Sequence, residues 1–470
     1  MFFGYDASVM SQVNTNPNYL KLMGAASSSS RDSAAVGGIV SVWFGGFAIG
    51  ALMVGSYADY IGRLKTVQLG CLWALLGAAL QASAQNITWM TIARVIGGIG
   101  CGHLNTVVPI WTSELADANM RGTFVAVEFT LALSASTLVY WMEYGCTRTT
   151  SEAFAWRFPL GFQAIFILIL MCAVHFFPES PRHLAKQGKL DEATAILRKC
   201  RVDVDTEKIQ QEMQGILAAL RLEASSSNHS YWSMLTKKDA FHTRRRILLS
   251  GGIQVMQKFT GIDFIAAYSP EMFALAGYSS NKSALLAGGN FFGYTASLAA
   301  AIYLADHFGR RKMMLAGSSA MGVILIIGGI LSHEVTRSKI ADPNRTQGYG
   351  AGVAAILYIY TFLYGSTWLT TCWVYPTEHS RLQGGTINEI VPYLITAVGF
   401  WIFIIFALIN FAMLPIIWAF YIETAKRNLE EFDLLFSSKS IFAWRAEREF
   451  AQMKARADEK TLEALRALGV

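Results

Sequence analysis

Two charged residues stand out within apolar stretches of the sequence, where a charge is expensive. Asp6 stands in the first apolar run, residues 1–11, and Arg94 stands in the apolar window 88–111. An ionised side chain at the centre of a bilayer costs about 2.5–3.5 kcal/mol on insertion scales, and such residues usually face a polar interior and serve a function. Asp6 and Arg94 are therefore the first candidates for functional chemistry.

A second set of charged residues occurs twice along the chain. The string Asp59-x-x-Gly62-Arg63-x-Lys65 has a counterpart in Asp306-x-x-Gly309-Arg310-Arg311-Lys312, and Pro109-x-x-x-x-Glu114 has one in Pro376-Thr377-Glu378. Equivalent loops at equivalent places indicate a duplicated unit. Charged side chains in a tight loop can form a network with a glutamate at the end of a neighbouring helix. The alternative is ordinary loop charge that sets the topology.

Long apolar elements must position these residues. The 470 residues are 53% apolar and only 15% charged, whereas soluble proteins average about 25% charged. A helix needs roughly 20 apolar residues to cross a bilayer. Full windows of this kind span 35–57, 66–84, 88–111, 123–145, 155–177, 247–275, 284–305, 313–332, 350–376 and 400–421, and partial windows at 1–11 and 384–399 complete twelve slots. The predicted fold class is an all-α integral membrane bundle.

The charge distribution divides the chain into segments. Lys and Arg concentrate on one side if residues 58–65 and 178–246 are cytoplasmic, and the positive-inside rule then places both termini in the cytoplasm. The polar stretch contains helical, charge-rich segments at 190–200 and 207–222. We predict an N-terminal six-helix half (1–177), a cytoplasmic linker of short helices (178–246), a C-terminal half (247–421) and a cytoplasmic tail (422–470) that is helical from Phe442 onward.

Four motifs in this order resemble the sugar porter family of the major facilitator superfamily, particularly its fungal members. They are the two loop strings, the two Pro and Glu pairs, the central Pro178-Glu179-Ser180-Pro181-Arg182, and Glu423-Thr424-Ala425-Lys426-Arg427. The resemblance covers nearly the whole chain. It implies a twelve-helix bundle of two six-helix pseudo-repeats with a substrate site near the midplane. It also implies transport of a hexose or pentose by alternating access, coupled to protons in part of the family.

The resemblance assigns roles to the charged residues. In proton-coupled sugar porters the acid of the string Gly4-Tyr5-Asp6 pairs with an arginine of the fourth span, and protonation of the acid releases the arginine. Asp6 would be the proton carrier and Arg94 its counter-charge, with a structural ion pair, or an Asp6 that sits in water because its helix is incomplete, as the alternatives. The resemblance also implies an inner gate of charged residues on the cytoplasmic side: Asp59, Arg63, Glu114, Arg121, Asp306, Arg310 and Glu378.

The seventh window carries the family's sugar-binding pattern in altered form. Gln254 and Gln257 share one helical face because they are three residues apart, and Gly261 can break the helix so that Asp263 faces the same cavity. The alternative for the two glutamines is an interhelical hydrogen bond, and the alternative for Trp373 is plain packing. The implied substrate site comprises Gln254, Gln257, Lys258, Asp263, Tyr268, Trp373 and Asn388.

The sequence departs from the family pattern in three respects. Lys258 and Asp263 replace a glutamine and an asparagine, and Glu128 stands with Phe129 where a glutamine pair is expected. This charged cavity leaves a polyol or a sugar acid open as the substrate. The short window at 1–11 and the short segment after Glu378 predict incomplete first and eleventh helices, as after an N-terminal truncation and an internal deletion.

Other classes of protein fit the sequence less well. A uniport facilitator or a non-transporting sugar sensor would share the motifs, whereas an enzyme needs converging nucleophile, base or metal ligands, and the sequence pattern offers no such set. The six cysteines make no CxxC, so neither a disulfide framework nor a metal site is predicted. We also expect no cofactor. We expect a monomer in the plasma membrane whose partners are a sugar, protons and the lipid bilayer, and not nucleic acid.

Overall fold

The computed structural model describes most of the chain as helices. The described residues are 1–14, 16–25, 30–115, 121–149, 151–201, 206–226, 243–262, 265, 269–341, 343–369, 371–372, 401–423, 440 and 442–452. Within these ranges there is no β-strand, and six helices are long and apolar enough to cross a membrane. The protein is therefore an all-α, multi-pass membrane protein, as its composition predicts.

The N-terminal half begins with short helices and continues with long ones. The short helices are α1 (Phe2–Ser8), α2 (Met10–Val13) and α3 (Pro17–Met23), and the long ones are α4 (Ser30–Ile61), α5 (Arg63–Ala82), α6 (Ile87–Leu115), α7 (Arg121–Cys146) and α8 (Glu152–Ala173). Helix α6 packs along both α4 and α5. A Cβ on Gly98 would lie 2.3 Å from the carbonyl oxygen of Trp43, so α4 and α6 approach to a distance that only glycine allows. This contact brings Trp43 close to Arg94.

The linker folds into three helices with a small core of their own. They are α9 (Pro181–Lys186), α10 (Leu190–Cys200) and α11 (Thr206–Ser226), which confirms the helices predicted at 190–200 and 207–222. Ser180 caps α9 by accepting a hydrogen bond from the amide of His183 at 3.3 Å. Arg201 joins the linker to the N-terminal half, because it donates to the carbonyl of Leu115 at 2.7 Å and pairs with Glu212 at 2.7 Å.

The C-terminal half contains a broken seventh span. Its helices are α12 (Thr243–Phe259), α13 (Ser269–Leu275), α14 (Ser280–Phe308), α15 (Arg310–Ala341), α16 (Pro343–Tyr364) and α17 (Trp401–Phe420), and residues 443–452 form a further helix, α18. The predicted break is present: α12 ends at Phe259 and Gly261 has a φ of +99°, in the region that favours glycine. The eleventh window, 384–399, lies outside the described residues.

The two halves contact each other along α7 and α14. The hydroxyl oxygens of Thr137 and Thr295 are 3.0 Å apart, and the hydroxyl of Tyr140 donates to the carbonyl of Ala284 at 2.9 Å. We call the side of the bundle that carries Gly62 and Gly309 the motif side. Helix α7 begins on the motif side, and Thr137 and Tyr140 lie in its second half. The contacts between α7 and α14 therefore lie toward the other side of the bundle.

Candidate functional site

Asp6 and Arg94 form a buried ion pair. An oxygen of Asp6 lies 3.1 Å from Nη1 of Arg94, and the two side chains are 0% and 1% exposed. The second oxygen of Asp6 accepts a hydrogen bond from the indole N–H of Trp43 at 2.7 Å. The predicted pair is therefore present, and Trp43 is a third member that sequence reasoning missed.

The surroundings of the pair hold α1 in place although the helix is short. The hydroxyl of Tyr5 donates to the carbonyl of Pro159 on α8 at 2.9 Å. In addition, Ser136 of α7 donates to the carbonyl of Gly4 at 2.8 Å. Because α1 is attached to α4, α6, α7 and α8 around Asp6, a change in the charge of Asp6 acts on several helices.

Arg94 has polar and aromatic contacts besides Asp6. Its guanidinium lies 5.5 Å from the ring centroid of Trp43, and its Nη1 is 3.4 Å from Oε1 of Gln81. Removing one partner of a buried ion pair costs about 3–5 kcal/mol, since the other charge is left uncompensated. An uncharged Asp6 would leave Arg94 without the opposite charge that it has in this pair.

The first repeated loop forms a charge network on the motif side. Arg63 binds both oxygens of Glu114 at 2.9 Å and approaches Asp59 at 3.0 Å. Asp59 also accepts from Lys186 of the linker at 2.8 Å. The structure thus brings together Asp59, Arg63 and Glu114 of the predicted gate and connects them to α9.

Two glutamates that the sequence reasoning left unassigned organise both loops. Glu179 accepts hydrogen bonds from the amides of Arg63 at 3.0 Å and Leu64 at 3.3 Å. In the other half Glu423 accepts from the amides of Arg310 at 2.8 Å and Arg311 at 3.1 Å. These amides begin α5 and α15, where no intrahelical acceptor exists, so each carboxylate caps a helix and interacts favourably with its dipole. Recurrence of a glutamate after the last span of each half was the signal that could have identified them.

His183 joins the network as a neutral base. Its Nδ1 lies 3.4 Å from Nη1 of Arg63 and accepts from that guanidinium, and its Nε2 lies 3.0 Å from the side-chain amide nitrogen of Gln187. Burial lowers the pKa of His183 from its usual 6.5, and the neighbouring Glu179 opposes that shift without cancelling it. Protonated His183 would place a second cation against Arg63.

The two glutamines of α12 lie in the core of the C-terminal half. The amide of Gln254 donates to the carbonyl of Cys372 at 2.8 Å, and the amide of Gln257 donates to the hydroxyl of Tyr364 at 2.6 Å. Both side chains are 6% exposed. The structure places them on one helical face as predicted, each with an interhelical hydrogen bond.

The break after α12 is held by polar contacts. The carbonyl of Thr260 accepts from the hydroxyl of Tyr360 at 2.9 Å and from the amide of Asn410 at 3.0 Å. Lys258 points toward the N-terminal half, where its Nζ lies 5.4 Å from the ring centroid of Phe44. An amide pair and a cation therefore lie near the interface of the two halves.

Several predicted residues cannot be compared with the structure. The side chains of Arg121 and Asp306, and the residues Asp263, Tyr268, Trp373, Glu378 and Asn388, lie outside the described residues. The amide of Arg310 is placed by Glu423. The roles predicted for all these residues in the gate and in the substrate site remain predictions.

Comparison with known proteins gives consistent relatives. A model of the family described as "Sugar (and other) transporter" matches residues 1–436. The MFS-type transporter oryC of Aspergillus oryzae is 30% identical over 93% of this chain and 83% of its own length. The high-affinity glucose transporter of Kluyveromyces lactis is 26% identical over 98% of this chain and 87% of its own length.

A solved structure has the same fold. The proton:xylose symporter XylE bound to 6-bromo-6-deoxy-D-glucose superposes with a TM-score of 0.74 and 21% identity, over 93% of this chain and 96% of that one. At this identity the likeness establishes the architecture of the bundle.

Proposed function

The chain belongs to the family of sugar (and other) transporters, and on that premise we propose that it carries a monosaccharide across a membrane by alternating access, together with protons. Members of this family are transporters and not enzymes. The observation that supports proton coupling is the buried pair of Asp6 and Arg94, 3.1 Å apart with Trp43 as a third partner.

The pair gives the proton a defined action. A protonated Asp6 has no net charge, so Arg94 loses its counter-charge inside the bundle. Holding an unpaired guanidinium in that place is costly, and the arrangement of α1, α4 and α6 around it becomes less favourable. Proton binding thereby changes the balance between the two orientations of the transporter, and release of the proton restores it.

Hydrogen-bonding amides support a sugar as the substrate. Gln254 and Gln257 lie on one face of α12 next to the break at Gly261. An amide can both donate to and accept from a hydroxyl, which is the chemistry that a hexose or pentose requires. The relative from Kluyveromyces lactis is named a glucose transporter, and the bound ligand of the structural neighbour is a sugar derivative.

A sugar acid is the second candidate. Lys258 directly follows Gln257 and its ammonium group lies over Phe44 of the opposite half. A cation at this place would favour a carboxylate on the substrate. Lys258→Gln should then abolish uptake of the acid and leave uptake of a neutral hexose unchanged.

The network on the motif side is the proposed inner gate. Arg63 joins Asp59, Glu114 and the linker, and such contacts can close one end of the substrate path. Because Lys and Arg concentrate on the motif side, we place that side, the linker and both termini in the cytoplasm. We further propose that the membrane is the plasma membrane. The halves at 1–177 and 247–421 would rock against each other around the midplane site.

Uptake of radiolabelled solutes by cells that lack their own sugar porters tests the proposal. Hexoses, pentoses, polyols and sugar acids are offered separately, and the amount of protein at the membrane is measured in parallel. We expect saturable uptake of a hexose or a pentose above the vector control. Uptake of none of these compounds by a protein present at the membrane would refute the proposed function.

A further inference from the structure

A groove opens on the surface of the C-terminal half at the motif side. It is a shallow, open depression between the start of α15 and the end of α17, with a volume of about 650 Å³. Most of its wall is apolar. Its lining consists of Lys312, Leu315, Ala316, Ser319, Leu414, Pro415 and Trp418.

The local sequence explains the groove. Ala316 and Ser319 have short side chains and leave space on the surface of α15. Pro415, inside α17, has no amide hydrogen to donate to the carbonyl four residues earlier and its ring crowds that carbonyl. The groove is therefore built from small residues facing a proline-containing helix, while Leu315 and Leu414 provide apolar walls.

The end of the groove nearest the loop is positively charged. Lys312 is exposed and makes no ion pair with any residue in the described ranges. The adjacent Arg311 is already engaged, by Glu447 at 3.3 Å and by the carbonyl of Trp418 at 2.6 Å. The charge of Lys312 is thus available at the mouth of an apolar groove.

Helix α18 lies beside the positively charged end of the groove. Trp444 stacks on Trp418 with ring centroids 4.6 Å apart, and this places the exposed Arg445 and Arg448 on the same side of the molecule. Trp418 itself is 54% exposed. Tryptophan and basic residues at the end of an apolar surface are typical of the boundary between lipid chains and headgroups.

The N-terminal half has an equivalent lysine in a different setting. Lys65 occupies the position of Lys312 in the first loop string and is also exposed. There, however, the amide nitrogen of Gln68 on α5 lies 3.2 Å from Nε2 of His175, in the short 3-10 turn that follows α8. This polar contact bridges the two helices at the place where the C-terminal half has its groove.

We propose that this groove binds an anionic phospholipid from the leaflet on the motif side. Lys312 binds the phosphate, Trp418 lies at the level of the headgroup, and one acyl chain follows the groove between Leu315 and Leu414. An aliphatic chain suits the apolar wall, and Lys312, which has no ion pair within the described ranges, suits a negative headgroup. The proposal does not depend on which solute is transported.

Photolabelling of the full-length protein in liposomes tests this site. The probe is a phosphatidylglycerol with a photoreactive group on its acyl chain, used below saturation, and labelling of residues 414–418 is measured by mass spectrometry. One basic residue near the surface contributes about 1 kcal/mol to binding of anionic lipid, or roughly fivefold. We expect Lys312→Ala to reduce labelling about fivefold and Lys312→Arg to preserve it.

Matched variants and probes separate this site from general lipid contact. Lys65→Ala should leave labelling unchanged, and Ala316→Trp should suppress it by filling the groove while Lys312 remains. Labelling by the phosphatidylcholine analogue should not depend on Lys312, and inorganic phosphate should not compete. Equal labelling of wild type and Lys312→Ala, or an equal loss in Lys65→Ala, would overturn the proposal, and competition by inorganic phosphate would replace the lipid with a free anion.

Discussion

Asp6, Arg94 and Trp43 form a unit. Asp6 has two hydrogen-bond partners, and the acidic partner of Arg94 in this unit is Asp6. The acid accepts from Arg94 at 3.1 Å and from Trp43 at 2.7 Å. The arginine depends on the acid for its charge balance. A proton on Asp6 therefore affects Arg94 more than it affects Trp43, which can still donate to a protonated carboxyl group.

Substitution of Gln257 tests the substrate site at this scale. A lost hydrogen bond to a buried hydroxyl costs about 0.5–1.5 kcal/mol, so Gln257→Ala should raise the half-saturation concentration for the transported sugar by about twofold to tenfold. Uptake kinetics with equal protein at the membrane measure this. Gln214→Ala, on the linker, is the control, and an unchanged half-saturation concentration in Gln257→Ala would move the substrate elsewhere.

His183 makes the stability of the motif side depend on pH. Its pKa is lowered in the folded protein because the side chain is buried, so the unfolded chain takes up a proton first as the pH falls through about 6.5. Folding is therefore weakened on the acid side of that value. Between pH 7.5 and 5.5 the unfolding temperature in detergent should fall less in His183→Gln than in wild type. An identical fall in both proteins would contradict this assignment.

At the scale of helices, the two repeated loops have the same construction. Gly62 and Gly309 have φ values of +92° and +86°, and the helix after each begins with amides bound by a glutamate from beyond the last span of its half. A Cβ on either glycine would lie 2.6 Å from a carboxylate oxygen of that glutamate. Each loop therefore needs both its glycine and its distant glutamate.

Removal of the capping carboxylate tests this construction. Glu423→Ala leaves the first amides of α15 without an acceptor, which costs about 1–3 kcal/mol, and should lower the unfolding temperature measured in detergent. Glu192→Ala is the matched control, since its pairing with Lys189 at 3.7 Å is exposed on the linker. Equal unfolding temperatures for the two variants would show that the cap is not a determinant of stability.

The sequence predicts elements better than it predicts their partners. The linker helices, the break at Gly261 and the apolar helices within the described residues follow from local composition, and the structure has them. The contacts of Glu179 and Glu423 join residues far apart in the chain, and no periodicity reveals such contacts. Trp43 escaped prediction for the same reason, because a tryptophan in an apolar helix has the same appearance whether or not its N–H binds an acid.

At the scale of the whole molecule, the halves are joined where α7 meets α14. Thr137 and Thr295 have their hydroxyl oxygens 3.0 Å apart. If transport requires the halves to separate on this side, the contact must open in each cycle. Helix α18 packs against the C-terminal half, through the stacking of Trp444 on Trp418 and the ion pair of Glu447 with Arg311.

A disulfide across the two halves tests this movement. Thr137→Cys combined with Thr295→Cys places two thiols within reach of an S–S bond of about 2.05 Å. Oxidation should abolish sugar uptake and dithiothreitol should restore it, whereas neither single variant should respond. Undiminished uptake by the cross-linked protein would mean that α7 and α14 stay together during transport.

Proton movement with the sugar tests the central claim most directly. Addition of the transported sugar to lightly buffered cells should raise the external pH for wild type. In Asp6→Asn that rise should disappear, and accumulation against a gradient should disappear with it, while the protein remains at the membrane. Asp191→Asn, on the linker, should behave as wild type. Sugar uptake that is equally fast with and without a pH gradient, and equal in wild type and Asp6→Asn, would contradict proton coupling and identify a facilitator.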